Sequence, residues 1–506
     1  MAALSLTTDL ASGLPFEKGL QVCLVGDTLA EALDLAGAER LALFEATLLR
    51  SIGCTSHAPE NAALFHDDTA FQAALRRLDP GDPEVFARQL VEFGSWTNDP
   101  AALTERFLEI AATEGPVAAT TGCEVSRVLA PGLGASDTAV RALDDVYERW
   151  DGGGIPLGRS GDEIAKVARV LHVAEQLVLA RADRAIDDPV ADVRRRSGGH
   201  LDPAIVAVLD EVGPSLLASL DGRDLLDAVL GLEAEPLRHV DGPGLTAMCH
   251  VLGVVADLKS VHLLGHSQHV ADIAGSAATH LGLDADLVDD VRCAALLHNL
   301  GCVVLPSSEL DGPLTAAGRE RLGLHTHWTR RILARCPSLS HLVPLATPAS
   351  AHHVAYAEGG YVSWRRAAEL PSPGADLAAD LLEASEVWAS LTEPRPGREA
   401  GTPVAAAAVL AQARRDGRLD PRAVTAVLAA AGHPSRSDER AEVALTAREV
   451  EVLQLTARGL GNRAIAQQLG ISDRTVGHHL AHIYDKTGLR TRAGVAVWAV
   501  ERRLLP

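Results

Sequence analysis

The feature that most constrains this chain is an internal duplication. The segment Thr47-Leu-Leu-Arg-Ser-Ile-Gly-Cys54 returns 248 positions later as Ala295-Leu-Leu-His-Asn-Leu-Gly-Cys302. Upstream, Lys18 to Val22 aligns without gaps on His266 to Val270, and further on His200-Leu-Asp-Pro returns as Arg418-Leu-Asp-Pro. Repeats of about 200 residues are duplicated domains rather than short solenoid units. Copy one is expected over 12–215, with an insertion of roughly 40 residues near 64–105, and copy two over 245–432. An Asp/Pro/Gly-rich stretch at 221–243 joins them, and the polar run from Gly432 leads to a tail at 441–506.

Both copies read as helices broken by Gly/Pro loops. Ala and Leu dominate, and aromatic residues make up only 3% of the 506 residues. That balance favours an all-α fold over sheets. The first twenty residues carry no basic start followed by an apolar run, so no signal peptide is expected. The longest apolar stretch, Leu245–Leu258, contains His250 and is too short to span a bilayer, so no membrane partner is expected. Seven scattered Cys without a Cys-x-x-Cys pair suit a reduced cytoplasm, where the protein is expected to reside.

The tail has its own pattern. Thr446 and Glu449 have capping-box spacing, so a helix should start there. A second helix fits Asn462 to Leu469 with Gly470 ending it, Ser472 can cap a third, and a fourth fits Ala493 to Leu505. Two helices across a tight Gly turn form a helix-turn-helix, whose second helix enters the major groove. Nine Arg/Lys against six Asp/Glu give the residues from Ala441 onward a net charge of +3, while the whole chain carries −21. A basic tail on an acidic body is what a phosphate-binding module needs. In Thr446-Ala-Arg-Glu, Asn462-Arg-Ala-Ile-Ala, Ser472-Asp-Arg-Thr-Val and Ile483-Tyr-Asp-Lys the tail resembles the LuxR-type four-helix DNA-binding domain. The resemblance implies double-stranded promoter DNA as partner and makes Asn462, Arg463, Ser472, Arg474, Thr475, His478 and Lys486 the candidate DNA-binding residues. The family usually has Lys where this chain has Gly477. The outward positions Gly477, His478 and Ala481 are poor in donors, so sequence preference is expected to be modest or read through DNA shape.

Eleven of the twenty His fall between 250 and 353. Imidazoles with a carboxylate suit transition metals, and ligands on several helices can converge inside a bundle. Gly265-His-Ser, Leu297-His-Asn-Leu-Gly, His325, His352-His353, Gly360-Tyr361, Glu386 and Arg395-Pro396 resemble the HD-GYP branch of the HD phosphohydrolases. That all-helical family binds two or three metal ions and hydrolyses phosphodiesters such as cyclic di-GMP. The resemblance implies two HD-like helical domains followed by the four-helix tail. It makes His266, His298, Asn299, His325, His352, His353 and Glu386 the candidate metal positions of copy two, for iron, manganese or zinc. Asn299 stands where the family has its bridging Asp, and a neutral amide cannot supply the charge that holds two cations together. In copy one the same positions hold Lys18, Arg50, Ser51, Thr121, Val146, Tyr147 and Glu175, a set on which a dinuclear site cannot assemble.

The sequence therefore favours a DNA-binding transcriptional regulator over an enzyme. Its duplicated body would sense a small-molecule or nucleotide signal or hold a homodimer together, with no catalytic residue assigned. The alternative is a metal-dependent cyclic-dinucleotide phosphodiesterase in copy two fused to the DNA-binding tail.

Overall fold

The computed structural model describes residues 1–35, 37–77, 100–233, 240, 242–312, 316–350, 375–432 and 445–505. The fold is all-α, as the composition predicts. Among the described residues the only β pairings are two isolated bridges, Ser197 with Leu201 and Arg395 with Arg398. No helix among them is long and apolar enough to cross a membrane. The chain forms two compact units, Met1–His57 with Asp68–Arg238, and Ala58–Asp67 with His239–Pro506.

The duplication is visible helix by helix. Lys18–Ala32 and His266–His280 are both fifteen residues long, and each follows a left-handed residue, Glu17 at φ 69° and Gly265 at φ 84°. The next helices, Ala38–Leu49 and Ala285–Leu297, end 248 positions apart. A short 3₁₀ turn follows in each unit, Cys54–His57 in the first and Leu300–Val304 in the second. The glycine before the repeated cysteine has a steric cause. A Cβ on Gly53 would stand 2.2 Å from the carbonyl oxygen of Gly122, and one on Gly301 would stand 1.8 Å from that of His325. Only glycine allows so close a backbone approach.

Each unit is built around one helix buried on all sides. Lys166–Ala182 is buried without a break over 170–180, and Ala375–Thr392 over 377–390. A helix apolar all round belongs in a core. Yet each carries a carboxylate at its centre, Glu175 and Glu386, buried to 3% and 0% exposure. A buried carboxylate must be paired. Lys18–Ala32 packs on the first of these helices and His266–His280 on the second, which brings the partners in.

The tail helices are Ala447–Ala457, Asn462–Leu469, Asp473–Thr487 and Arg492–Glu501. The capping box of Thr446 and Glu449, the left-handed Gly470 and the Ser472 cap are all formed. The last helix departs from expectation. Thr491 caps it, so it begins one residue early, and it ends at Glu501, ahead of Arg503 in left-handed conformation. Within the second unit, Glu501 meets His250 at 2.9 Å.

Candidate functional site

In the second unit, His266 opens its helix, His298 caps the end of Ala285–Leu297, and Glu386 lies on the central helix. His266 Nε2 lies 2.8 Å and His298 Nε2 3.2 Å from the same oxygen, Glu386 Oε2. The three are fully buried, and their donor atoms lie within 4.8 Å of one another, a spacing that can hold a metal ion. The far side of each ring is anchored. His298 Nδ1 contacts the carbonyl of Ala295 at 2.5 Å, and His266 Nδ1 contacts Glu393 at 2.7 Å. His325, buried on Ala316–Arg335, is anchored in the same way by Nδ1 on the Leu322 carbonyl. Imidazoles tied through one nitrogen to a carbonyl or carboxylate and offering the other are the form that metal-binding histidines take. The residues present therefore fit a divalent ion held by His266, His298 and Glu386, which would act there as a Lewis acid.

Asn299 is buried beside them, with Cys302 Sγ 3.8 Å from its Oδ1. Its amide supplies no bridging charge, so the donor set fits one ion better than two. His352 and His353 lie outside the described residues.

Four residues around this site, His269, Ser390, Glu393 and Arg395, were not singled out as ligands from sequence. Glu393 accepts from His266 and from His269, each at 2.7 Å, and Arg395 donates to Glu393 at 3.3 Å and to Ser390 at 3.2 Å. The seven-residue spacing from Glu386 to Glu393, two helical turns, is the signal that could have found Glu393. Burial opposes charge on His266, but Glu386 and Glu393 outweigh it and push its pKa up to about 10. Burial likewise opposes charge on Glu386, and the two imidazoles hold it well below the usual carboxylate range.

The first unit repeats this geometry with different chemistry. Lys18 Nζ is hydrogen-bonded to Glu175 Oε1, and Arg50 Nε donates to Oε2 at 2.9 Å. Lys18 and Arg50 stand 248 positions before His266 and His298. Arg76, from the insertion, adds a third cation, 3.5 Å from Glu175. Arg50 also stacks on Tyr147, 4.9 Å from the ring centre, and Ser51 accepts from Arg76 at 3.1 Å. Thr121 turns its hydroxyl to the carbonyl of Val117. Fixed cations encircle the carboxylate, and a dication is repelled from such a place.

In the tail, Arg463, Ser472, Arg474 and His478 are exposed and Thr475 is half-buried. Ser472 also caps the helix, accepting from Thr475 N at 3.1 Å. Asn462 accepts from Arg492, which orients it within the tail. Lys486 has a partner within the tail: its ammonium donates to both oxygens of Glu449, at 2.9 and 2.7 Å. Burial raises the pKa of Glu449, yet Lys486 and Thr446 bring it down to about 2. Its folded value lies below the ordinary 4.5, so the stability it contributes is present above about pH 4.5 and lost as pH falls toward 2. Lys486→Ala is expected to cost the tail about 1 kcal/mol, discounted for the exposed lysine. Thermal unfolding of the full chain at pH 7 checks this, and the deficit should shrink at pH 3; an unchanged transition at pH 7 contradicts the tether.

Residues 443–499 match the family of bacterial regulatory proteins, luxR family, and residues 250–423 match the HD domain family. The chain is 27% identical over 410 residues to 3'3'-cGAMP-specific phosphodiesterase 3 of Vibrio cholerae, covering 79% of this chain and 87% of that protein. A crystal structure of a V. cholerae cyclic GMP-AMP specific phosphodiesterase shares the fold, with a TM-score of 0.56 at 22% identity, over 85% of this chain and 96% of that one. Over 61 residues the tail is 41% identical to the oxygen regulatory protein NreC of Staphylococcus aureus, which is 12% of this chain and 28% of NreC. These matches place an HD domain over 250–423 ahead of a C-terminal LuxR-type helix-turn-helix domain over 443–499.

Proposed function

We propose that this protein is a DNA-binding transcriptional regulator that grips promoter DNA through its tail and uses the duplicated HD-like body, over 12–215 and 245–432, as a sensory or dimerising module. The observation that carries the reading is the contrast between the two ends. The tail keeps its caps, its turn and an exposed Arg463, Ser472, Arg474 and His478. The body keeps one His-His-Glu cluster beside an amide and has filled the other site with cations. A dimer supplies the paired half-sites that give a small module its affinity. A divalent ion on His266, His298 and Glu386 is the proposed cofactor.

Arg463 and Arg474 act as phosphate contacts, which position the domain without specifying sequence. Arg463→Ala with Arg474→Ala is expected to weaken binding by about tenfold or more on any sequence and to flatten the salt dependence by roughly two units of slope per domain. Gly477→Lys acts the other way. It removes a mid-helix glycine, worth about 1 kcal/mol of helix stability, and adds a cation where a side chain meets open space. Fluorescence anisotropy on duplex DNA across a salt series reads both; undiminished affinity in the double variant sinks the reading.

The His-His-Glu cluster also favours a second reading, phosphodiester hydrolysis in copy two. It requires metal-dependent turnover of a cyclic dinucleotide that His298→Ala abolishes, and it fails if the manganese- or iron-loaded protein shows none.

A further inference from the structure

The first unit holds a charge imbalance that its own described residues do not resolve. Lys18, Arg50 and Arg76 surround Glu175, and the whole side chains of Arg50 and Arg76 are 7% exposed. Each guanidinium is pinned at one edge. Arg50 gives Nε to Glu175 and Nη2 to the carbonyl of Val146 at 3.1 Å. Arg76 gives Nη2 to Ser51 and to Cys54 Sγ, the latter at 2.7 Å. The remaining Nη1 of both arginines is buried and makes no hydrogen bond among the described residues, that of Arg76 only facing Glu175 Oε1 in an ion pair at 3.5 Å. An unsatisfied buried donor costs about 1–3 kcal/mol, and more when charged. Two such donors on arginines that share one carboxylate call for a further acceptor.

Of the acids nearby, Glu175 already faces all three cations and Asp9 is engaged elsewhere. Asp9 spends its Oδ2 on the backbone N–H of Gly19, and burial pushes its pKa up to about 7. Tyr147 lies under Arg50 as a ring. The Cys54 thiol is opposed by burial but drawn down by Arg76 and Arg50, which marks the place as electropositive.

We propose that this cluster is an anion site for a phosphoryl group, either free phosphate or the phosphate of a small nucleotide, held by the Nη1 donors of Arg50 and Arg76. Arginine forks match phosphate oxygens in geometry and stay charged when buried. Lys18 and Glu175 set the positions of the forks. The duplicated positions have thereby exchanged roles. In copy two they present ligands to a cation, and in copy one they are the cations, presented to an anion. This gives the sensory body a ligand class, and it can fail separately from the regulator reading, because DNA affinity rests on Arg463 and Arg474.

The test uses the metal-free full chain carrying Arg474→Ala, which lessens phosphate binding by the tail. Thermal unfolding and titration calorimetry are followed against sodium phosphate, with sodium chloride at matched ionic strength. A saturable rise in the unfolding temperature of about 3 °C or more is expected at a hundredfold excess over Kd. Arg76→Gln should abolish it, and Arg76→Lys, which keeps charge but loses the fork and guards against a folding defect, should weaken phosphate at least about tenfold. Displacement of phosphate by cyclic di-GMP assigns the site to a nucleotide phosphodiester, and failure to displace it assigns free phosphate or a monoester. A rise that chloride reproduces, or one that survives Arg76→Gln and Arg76→Lys unchanged, overturns the proposal. So does the absence of any rise, and rapid alkylation of Cys54 by iodoacetamide would then make the thiolate the missing charge.

Discussion

His298→Ala is expected to empty the second unit of metal. The wild-type chain, loaded with manganese, iron or zinc and desalted, should retain about one divalent ion, and the variant should lose at least about a hundredfold in affinity. A lost anchor outside the ligand shell already costs ten- to a hundredfold, and a direct ligand costs more. The geometry sets the stoichiometry. His266 and His298 converge on one oxygen of Glu386, and the neighbour that would bridge a second ion is the amide of Asn299. Asn299→Asp should therefore add a second equivalent, because it restores a negative charge between the two positions. Elemental analysis measures both, and calorimetric titration of the metal-free protein gives the affinities. A wild type that holds no ion under any loading, with no rise in unfolding temperature, would remove copy two as a cation site.

The backbone of this site was legible in the sequence and its electrostatics were not. The gap-free match of Lys18–Val22 to His266–Val270 anticipates two fifteen-residue helices in the same register, because a duplicated core keeps its spacing. Gly53 and Gly301 are fixed by backbone crowding, which acts on both copies alike. The caps at Thr446 and Ser472 are local hydrogen bonds between residues three apart, and local bonds are written in local sequence. Partners far apart in the chain were harder. Nothing near Arg76 announces that it reaches Glu175, and nothing near Lys486 announces Glu449, 37 positions away. Lys486 read as a phosphate contact because an isolated lysine on a DNA-binding helix has no visible alternative. The helix packing supplies one.

Glu175→Ala should unfold or severely weaken the first unit, by about 3–5 kcal/mol, the cost of breaking a buried ion pair from one side. The substitution leaves Lys18, Arg50 and Arg76 facing one another inside a core. Lys18 can shed its proton but arginine cannot, so the repulsion between Arg50 and Arg76 has no release by titration. Glu386→Ala in the second unit should cost less in the metal-free protein, since histidines can become neutral when their carboxylate is gone. The pH dependence has a definite sign. Burial opposes charge on Glu175, but Arg50, Lys18 and Arg76 together hold its pKa well below the ordinary value. Its contribution is therefore present above about pH 4.5 and lost as pH falls below that, and Glu175→Ala should flatten the acid limb of the stability curve. Denaturant unfolding of the full chain between pH 3 and 7 measures the effect. A loss below about 1 kcal/mol at pH 7 would mean that the three cations are already neutralised by something other than Glu175. A difference between the two glutamates is the thermodynamic counterpart of the divergence between the copies. One carboxylate is a fixed clamp without which its core cannot close, and the other is a ligand whose partners can adjust to its loss.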